Sequence, residues 1–307
     1  MRVGVLGGGV SEEREISLIS AQEVLNALKR KSIEAFFVDI TTSDRQKVKE
    51  ILLSHIFDVA FVALHGEFGE DGKIQRILQN LKIPHTGSSP SASYLSMDKI
   101  ASKTIFVRGD IPTPPFHVCV DPSRLPRNLQ FPLVVKPYFS GSSIGISIVR
   151  DESDLGPALK KAFSLQKRVL LEQYIEGREM TVGILEEKPL AVVEIVSKNE
   201  YFDFHTKYTV GEAELRAPAE LETSVYGRVQ AVALSAHRAL GCKSFSRVDM
   251  RLSRDNTPFV LEVNSIPGLT SHSLLPLSAK CCGIDFDDLI LKMTILAFNA
   301  KGQTQKV

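Results

Sequence analysis

Two acidic residues and an asparagine are spaced along residues 247–264 in a way that suits magnesium binding. This segment, RVDMRLSRDNTPFVLEVN, has two runs of alternating polar and apolar residues around a turn-forming stretch, which predicts a β-hairpin. Symmetric pairing about the turn places Asp249 opposite Glu262 and Arg247 opposite Asn264. Carboxylate and amide oxygens are hard ligands of the kind that Mg²⁺ prefers. The hairpin is therefore a candidate metal site.

The alternative interpretation of this hairpin is a surface charge ladder. Arg247 and Arg251 would then neutralise Asp249 and Glu262, because like charges directly opposite each other destabilise a sheet. Symmetric pairing puts Val260 on the polar face, although a bulge would shift this register. It also predicts an apolar face made of Val248, Met250, Leu252, Phe259, Leu261 and Val263.

A second candidate site is a lysine that ends a predicted strand before a loop of small residues. Lys136 closes the strand at residues 133–136, and the loop GSSIG at residues 141–145 leads directly into the next strand. Small residues let backbone N–H groups approach phosphate oxygens, and lysine adds a mobile positive charge. The GxxxxGK[ST] loop is absent. The segment thus predicts a flap over a polyphosphate, with a plain hairpin turn as the alternative.

Glu172 ends another predicted strand, at residues 168–172, which runs on extended to residue 175, and Glu179 follows after Gly177. An extended strand end offers backbone donors and acceptors to a base edge, and Glu172 and Glu179 could accept from amino and ribose hydroxyl groups. An ordinary surface strand end remains the alternative.

Near the N-terminus, Glu13 and His65 each follow a predicted strand. Glu12 occupies the place of the third glycine in a GxGxxG motif, which argues against dinucleotide binding and a nicotinamide oxidoreductase. Glu13 at a helix start suits a positively charged group, although the helix dipole alone favours an acid there. His65 lies where open α/β sheets bind ligands, although a lone histidine is more often structural.

The predicted elements that must position these residues divide the chain into three units. Alternating strands and helices in the first ninety residues predict a mainly parallel, Rossmann-like sheet. The turn-rich segment 87–93 predicts a break, followed by a helix at 97–108 and an α+β unit. From residue 180 onward, strand pairs flank a long polar stretch at 197–219, which is placed where an active-site lid would lie.

Composition excludes several classes of protein. The chain has 307 residues, 37 of them basic and 36 acidic, for a formal net charge of +1. This balance argues against nucleic-acid or anionic-membrane binding over a broad surface. Its apolar runs are far shorter than the roughly 20 residues that span a bilayer, and charged residues follow soon after the first strand, unlike a signal peptide. We therefore expect a cytoplasmic enzyme that acts on small molecules.

Taken in order, these motifs resemble the D-alanine–D-alanine ligase family of the ATP-grasp superfamily over essentially the whole chain. The first are GGGVSEEREIS at 7–17, LHG at 64–66, GEDG at 69–72 and MDK at 97–99. The others are KP at 136–137, GSSIG at 141–145, KY at 207–208, RVD at 247–249, EVNSIPG at 262–268 and SHSL at 271–274. Tyr138 and Phe139 stand where the family commonly has a more polar pair.

This resemblance implies a fold, a reaction and an assembly. The fold is α/β and α+β: a Rossmann-like domain at 1–92, a central ATP-grasp subdomain with the flap at 93–178, and a C-terminal subdomain at 179–307. The reaction joins two D-alanine molecules through a D-alanyl phosphate, with ADP and phosphate released, for peptidoglycan synthesis. The implied assembly is a homodimer. Alternatives are a ligase using D-serine or D-lactate as second substrate and a non-catalytic nucleotide sensor.

The resemblance also implies a role for each matching residue. The residues expected to bind ATP are Lys99, Lys136, Ser142, Glu172, Ile175, Glu179 and Lys207. Two magnesium ions, with manganese as an alternative, are expected to bind Asp249, Glu262 and Asn264. The expected catalytic residues are Glu13, Ser142, Tyr208, Arg247 and Gly268. The two D-alanine molecules are expected to contact Glu13, His65, Ser273 and Leu274. A tyrosine at 208 favours an amine over a hydroxyl as the second nucleophile.

Overall fold

The computed structural model describes residues 1–126, 128–141, 143–197 and 213–300. Its strands form a three-stranded sheet, a four-stranded sheet and a five-stranded sheet, each with helices packed against it. Among the described residues, no helix is long and apolar enough to cross a membrane.

The first unit is the parallel sheet that the alternating pattern predicts, with strand order β2-β1-β3. Its elements are β1 Arg2–Gly8, α1 Arg14–Arg30, β2 Glu34–Ile40, α2 Arg45–Leu53, β3 Val59–Val62 and α3 Lys73–Asn80. Because β2 and β3 lie on opposite sides of β1, the loops after β1 and β3 diverge at the carboxyl end of the sheet. Such a switch point is where open α/β sheets bind ligands, and Glu13 and His65 follow these two strands.

The predicted break at 87–93 is only partly correct, because a helix begins inside it. The helices here are α4 Pro90–Met97 and α5 Lys99–Arg108. The Ser89 side chain accepts from the backbone of Ala92, and Pro90 occupies the first turn, an arrangement that favours helix initiation. A boundary between residues 92 and 93 would fall inside α4. That boundary stays a prediction.

The middle unit is an antiparallel sheet with strand order β4-β7-β5-β6. Its elements are β4 Phe116–Cys119, β5 Leu133–Pro137, β6 Ser147–Val149, α6 Glu152–Leu165 and β7 Val169–Gln173. Strands β5 and β6 pair antiparallel, from Leu133 opposite Val149 to Val135 opposite Ser147. The glycine-serine loop therefore joins two paired strands, as predicted.

The third unit is a five-stranded antiparallel sheet with strand order β10-β9-β8-β11-β12. Its strands are β8 Gly177–Leu185, β9 Lys188–Ser197, β10 Ala213–Arg216, β11 Phe245–Ser253 and β12 Pro258–Asn264. Its helices are α7 Thr223–Ala239, α8 Leu274–Lys280 and α9 Phe286–Ala300. Strand β10 lies within the stretch 197–219 that was expected to be a loop, and most of the rest of that stretch lies outside the described residues. Helix α8 was not predicted.

A bulge corrects the predicted faces of the β11–β12 hairpin. Asp249 lies opposite Glu262 as predicted, but the register shifts after Asp249, so that Met250 lies opposite Val260. Val260 consequently faces the core and is fully buried. Leu261, predicted for the apolar core face, instead lines a cleft beside Glu262. The bulge thus places an apolar side chain next to the acidic pair.

The bulge predicts unequal effects of the same polar substitution at two neighbouring positions. Val260→Asn should destabilise the protein by about 3 kcal/mol, since it removes apolar burial and leaves an amide unsatisfied in the core. Leu261→Asn, at the partly exposed cleft wall, should cost less than about 1 kcal/mol. Denaturant unfolding of the two variants measures the difference. A larger loss at Leu261 would contradict the observed register.

Candidate active site

Arg247 and the three predicted metal ligands lie together on β11 and β12. Arg247 lies opposite Asn264 in the pairing, and its Nε and Nη2 donate to the two Asp249 oxygens at 2.8 and 2.7 Å. Asn264 Nδ2 donates to Asp249 Oδ2 at 3.0 Å. Thr181 on the neighbouring strand β8 donates to Asp249 Oδ1 at 2.6 Å. The Asp249 carboxylate is therefore held in one orientation by three side chains.

This donor set fits a hard divalent cation through its chemistry. No group of three or more His, Cys, Asp or Glu side chains suited to a metal occurs in the described part of the chain. The expected set is instead mixed: the carboxylates of Asp249 and Glu262, which lie side by side in the register, and the amide oxygen of Asn264. Two carboxylates and an amide match what magnesium accepts. The metal assignment remains a prediction.

Lys99 links the metal-site hairpin to the flap. It is the first residue of α5, whose N-terminus is capped by the Asp98 side chain. Its ammonium lies 3.0 Å from Glu262 Oε2 and donates to the Ser140 carbonyl at 2.6 Å. Its backbone N–H donates to the Tyr138 carbonyl at 2.9 Å. One lysine thus holds both the start of the flap and an expected metal ligand.

Glu172 lies at the floor of the cleft between two lysines. Lys136 Nζ on β5 is 2.7 Å from Glu172 Oε2, and Lys103 Nζ on α5 is 3.0 Å from Oε1. Burial would raise the pKa of Glu172, but the charges of Lys103 and Lys136 outweigh it and lower the pKa. Lys103 Nζ lies within ion-pair distance of Glu172 Oε1 but outside hydrogen-bond geometry. Among the described residues, Glu172 Oε1 therefore accepts no hydrogen bond.

A cleft runs between the middle and third units. Apolar side chains form much of its wall: Val134, Ile146, Ile148 and Leu261. The expected polar residues Lys136, Glu172, Glu179, Asp249 and Glu262 also line it, together with the expected residue Ile175. Apolar walls with a few convergent polar groups are typical of small-molecule sites. The structure therefore brings these predicted ATP and metal residues into one cleft.

The end of the cleft near Ile175 is held by Arg251. Its Nε donates to the Ile175 carbonyl at 3.2 Å, its Nη2 to the Tyr174 hydroxyl at 3.3 Å, and its Nη1 lies 3.6 Å from Glu179 Oε2. The guanidinium also lies over the Tyr174 ring. The charge-ladder interpretation supposed that Arg251 helps to neutralise Asp249 and Glu262. In the structure, Arg251 instead organises the segment around Ile175.

Glu13 points from the first unit toward the flap. It precedes α1, yet its side chain makes no capping hydrogen bond to that helix, so capping does not explain an acid at this position. The residue is buried. A Cβ built on Gly141 would lie 3.4 Å from Glu13 Oε2, and one built on Gly66 would lie 2.7 Å from it. The carboxylate thus lies where the flap meets the switch point of the first sheet.

His65 is buried beside Glu13 with both ring nitrogens engaged. Its Nε2 lies 2.9 Å from Ser20 Oγ, and its Nδ1 lies 3.3 Å from Glu70 Oε1. Ser11 connects it to Glu13, since the Ser11 hydroxyl donates to the His65 carbonyl and accepts from the Glu13 backbone. This geometry favours the structural interpretation of His65, as a residue that positions the loop. Contact with substrate stays a prediction.

The predicted residues after β12 lie in a loop, with Gly268 and Ser273, and at the start of α8, with Leu274. Ser273 Oγ accepts from the Thr270 backbone at 3.1 Å, and a Cβ built on Gly268 would lie 3.0 Å from it. Leu269 and Leu275 join the core of the first sheet. This loop therefore reaches back toward the unit that carries Glu13. Three other predicted residues, Ser142, Lys207 and Tyr208, lie outside the described residues.

Sequence reasoning missed the roles of Lys103 and Leu261. Lys103 follows Lys99 by one helical turn, and an i, i+4 pair on one helix face was a usable signal. The placement of Leu261 depends on the bulge, which the alternating pattern of polar and apolar residues does not predict.

Comparison with known proteins identifies the family. The family model for the D-ala D-ala ligase C-terminus matches residues 114–295, and that for the N-terminus matches residues 2–55 and 42–88. The D-alanine–D-alanine ligase of Geotalea uraniireducens is 44% identical over 96% of this chain and 95% of its own length. That of Methylacidiphilum infernorum is 44% identical over 98% and 97%.

A solved structure agrees in fold over nearly the whole chain. The crystal structure of the Bacillus anthracis D-alanine–D-alanine ligase complexed with ATP has a TM-score of 0.87 and 32% identity, covering 99% of both chains. This likeness confirms the predicted ATP-grasp fold. The chain belongs to the D-alanine–D-alanine ligase family.

Proposed function

We propose that this protein joins two D-alanine molecules to D-alanyl-D-alanine with cleavage of ATP to ADP and phosphate, which supplies a peptidoglycan precursor. The observation that carries this proposal is one cleft lined by Lys136, Asp249 and Glu262. Lys99 contacts Glu262 beside it, and the Glu13 carboxylate lies close to Gly141 of the flap. The Bacillus anthracis relative was solved in complex with ATP, which supports a nucleotide in the corresponding cleft here.

The nucleotide lies with its base toward Ile175 and its phosphates toward the metal-site hairpin. Glu172 and Glu179 accept from the adenine amino and ribose groups, and the apolar wall covers the base. Lys99 and Lys136 balance the charge of the phosphates, with Lys207 from the predicted lid. Asp249, Glu262 and Asn264 hold magnesium, or manganese in its place. When bound, this ion supplies additional positive charge that polarises the phosphoryl group.

The first step forms a D-alanyl phosphate. Glu13 binds the ammonium of the first D-alanine and so orients its carboxylate toward the γ-phosphate. The carboxylate oxygen attacks phosphorus, the bond to ADP breaks, and the lysines stabilise the charge that develops. Acyl phosphates react readily with water, so the flap and lid serve to exclude it. Glu13 with Ser142 and Tyr208 ties the first unit to these closing segments.

The second step transfers the acyl group to the amine of the second D-alanine, whose carboxylate is held by Ser273 and Leu274. The neutral amine attacks the carbonyl carbon and gives a tetrahedral oxyanion, which Arg247 and the Gly268 backbone stabilise. Phosphate leaves, and the amine loses a proton. Two hydrogen bonds to Asp249 already orient the Arg247 guanidinium that stabilises the oxyanion.

We further propose that the enzyme is cytoplasmic and a homodimer.

The first test is phosphate release from ATP and Mg²⁺ with single and paired D-amino and D-hydroxy acids. We expect release that depends on D-alanine, with one D-alanyl-D-alanine formed per phosphate by mass spectrometry. No release above background with D-alanine would contradict the proposal. Preferred formation of a mixed product with D-serine or D-lactate would reassign the second substrate. ATP binding without turnover would indicate the nucleotide sensor.

A further inference from the structure

Lys103 is a fully buried lysine at the back of the nucleotide cleft, and the proposed chemistry does not use it directly. Its side chain leaves α5, contacts Glu172 as described, and donates to the Thr113 hydroxyl. Thr113 in turn donates to the Val260 carbonyl at 2.8 Å. The ring of Phe116 lies beneath the ammonium, 5.6 Å from it. The ammonium is thus fixed from α5, β7 and the start of β12.

Charge counting gives this lysine a role beyond folding. The Glu172 carboxylate lies between two ammonium groups, one on each oxygen, so the three side chains together carry one net positive charge. Without Lys103, Glu172 and Lys136 would form a neutral pair. Burying a third charged group is costly, and a neutral pair would satisfy the fold with fewer charges. The net positive charge therefore requires an anion to balance it, and that anion would bind in the cleft in front of Lys136.

We propose that Lys103 is a positioning residue for nucleotide binding: by pairing with Glu172 it leaves the Lys136 ammonium with uncompensated charge for the phosphates of ATP. This inference rests on the proposed function, because it takes the polyphosphate of ATP as the anion. It adds a residue that touches neither nucleotide nor metal but sets the charge of one that does.

The protonation of Lys103 supports this role and predicts a pH dependence. Burial lowers the pKa of Lys103 to about 8, against the attraction of Glu172 and with further lowering from Lys136 and Lys99. The uncharged Thr113 and Phe116 face it from the remaining side. Below this pKa the ammonium is charged and the net positive charge is present. As pH rises through it, the proton is lost and the affinity for ATP should fall.

The direct test compares Lys103→Met with Lys160→Met, a control on the exposed face of α6. Isothermal titration calorimetry with ATP and Mg²⁺ at pH 7 measures the dissociation constant for each. We expect Lys103→Met to weaken ATP binding on the order of tenfold, the effect of one charge at this range in a partly buried cleft. The control should leave the constant unchanged. A dissociation constant for Lys103→Met within threefold of the parent protein would overturn the proposal.

A double variant separates the charge mechanism from loss of structure. In Lys103→Met with Glu172→Gln, the carboxylate that neutralises Lys136 is gone, so ATP affinity should recover at least threefold from the single variant. A structural role for Lys103 predicts no recovery, and that outcome would equally overturn the proposal. If Lys103→Met does not fold, the same comparison is made between the double variant and Glu172→Gln alone. Because Glu172→Gln alone carries one more positive charge than the double variant, it should bind ATP on the order of tenfold more tightly, and equal affinities would contradict the mechanism.

The pH dependence supplies an independent readout through Lys103→Arg. Arginine keeps its charge throughout the accessible range, so the decline of ATP affinity between pH 7 and 9.5 should be smaller than in the parent protein. Identical declines would contradict the role of Lys103. Failure of the proposed function is distinguishable, because the parent protein would then bind ATP and still release no phosphate with D-alanine.

Discussion

Replacement of Glu262 by glutamine should lower turnover at saturating substrates by at least about 100-fold. Loss of a residue that only supports a metal ligand already costs about 10- to 100-fold, and Glu262 is expected to bind the metal directly. Glutamine keeps the size of the side chain but loses the negative charge that Lys99 and the expected metal both require. The protein should stay folded, because Glu262 is partly exposed at the end of a paired strand. Phosphate release over a range of Mg²⁺ concentrations measures the effect.

The matched control is Glu152→Gln, which removes a carboxylate from the exposed start of α6. Its turnover and its requirement for Mg²⁺ should equal those of the parent protein. The metal assignment would fail if Glu262→Gln retained full turnover at limiting Mg²⁺. Loss of activity together with loss of the unfolding transition would instead assign Glu262 a structural role.

The Arg247→Met variant should lose about 100- to 1,000-fold in kcat, the usual cost of one donor to an oxyanion. Affinity for ATP should change much less, because an interaction made only in the transition state affects kcat and kcat/KM rather than binding. Arg247→Lys should recover only part of the loss, since an ammonium cannot reproduce the two-pronged contact with Asp249. Steady-state phosphate release and ATP calorimetry together give both quantities.

Arg254→Met provides a matched control on the same hairpin. Arg254 lies in the exposed turn and pairs with Glu176 at 2.5 Å, where a surface ion pair contributes about 0–1 kcal/mol. Its loss should leave kcat unchanged. If Arg247→Met retained kcat and lost only ATP affinity, Arg247 would be a nucleotide-binding residue and the proposed stabilisation of the oxyanion would be wrong.

Local patterns in the sequence were sufficient for most elements of the fold. The alternation of strands and helices predicted for the first ninety residues is present, and the pairing of Asp249 with Glu262 follows from the turn residues and strand alternation. These features depend on neighbours along the chain, whose periods of 3.6 and 2 residues can be read directly. Helix α4 was missed because its serine-rich start resembles a turn.

The sequence by itself determined the fold class, the hairpin that carries Arg247 and the expected metal ligands, and the lysine before the flap, because local spacing encodes each of them. Only the tertiary structure decided what those groups face. The bulge that turns Leu261 toward the cleft, the contact of Lys99 with Glu262, and the placement of Glu172 between Lys103 and Lys136 all join elements distant in the chain. Charge balance in a buried cleft depends on such distant partners, and no pattern along one strand or helix records them.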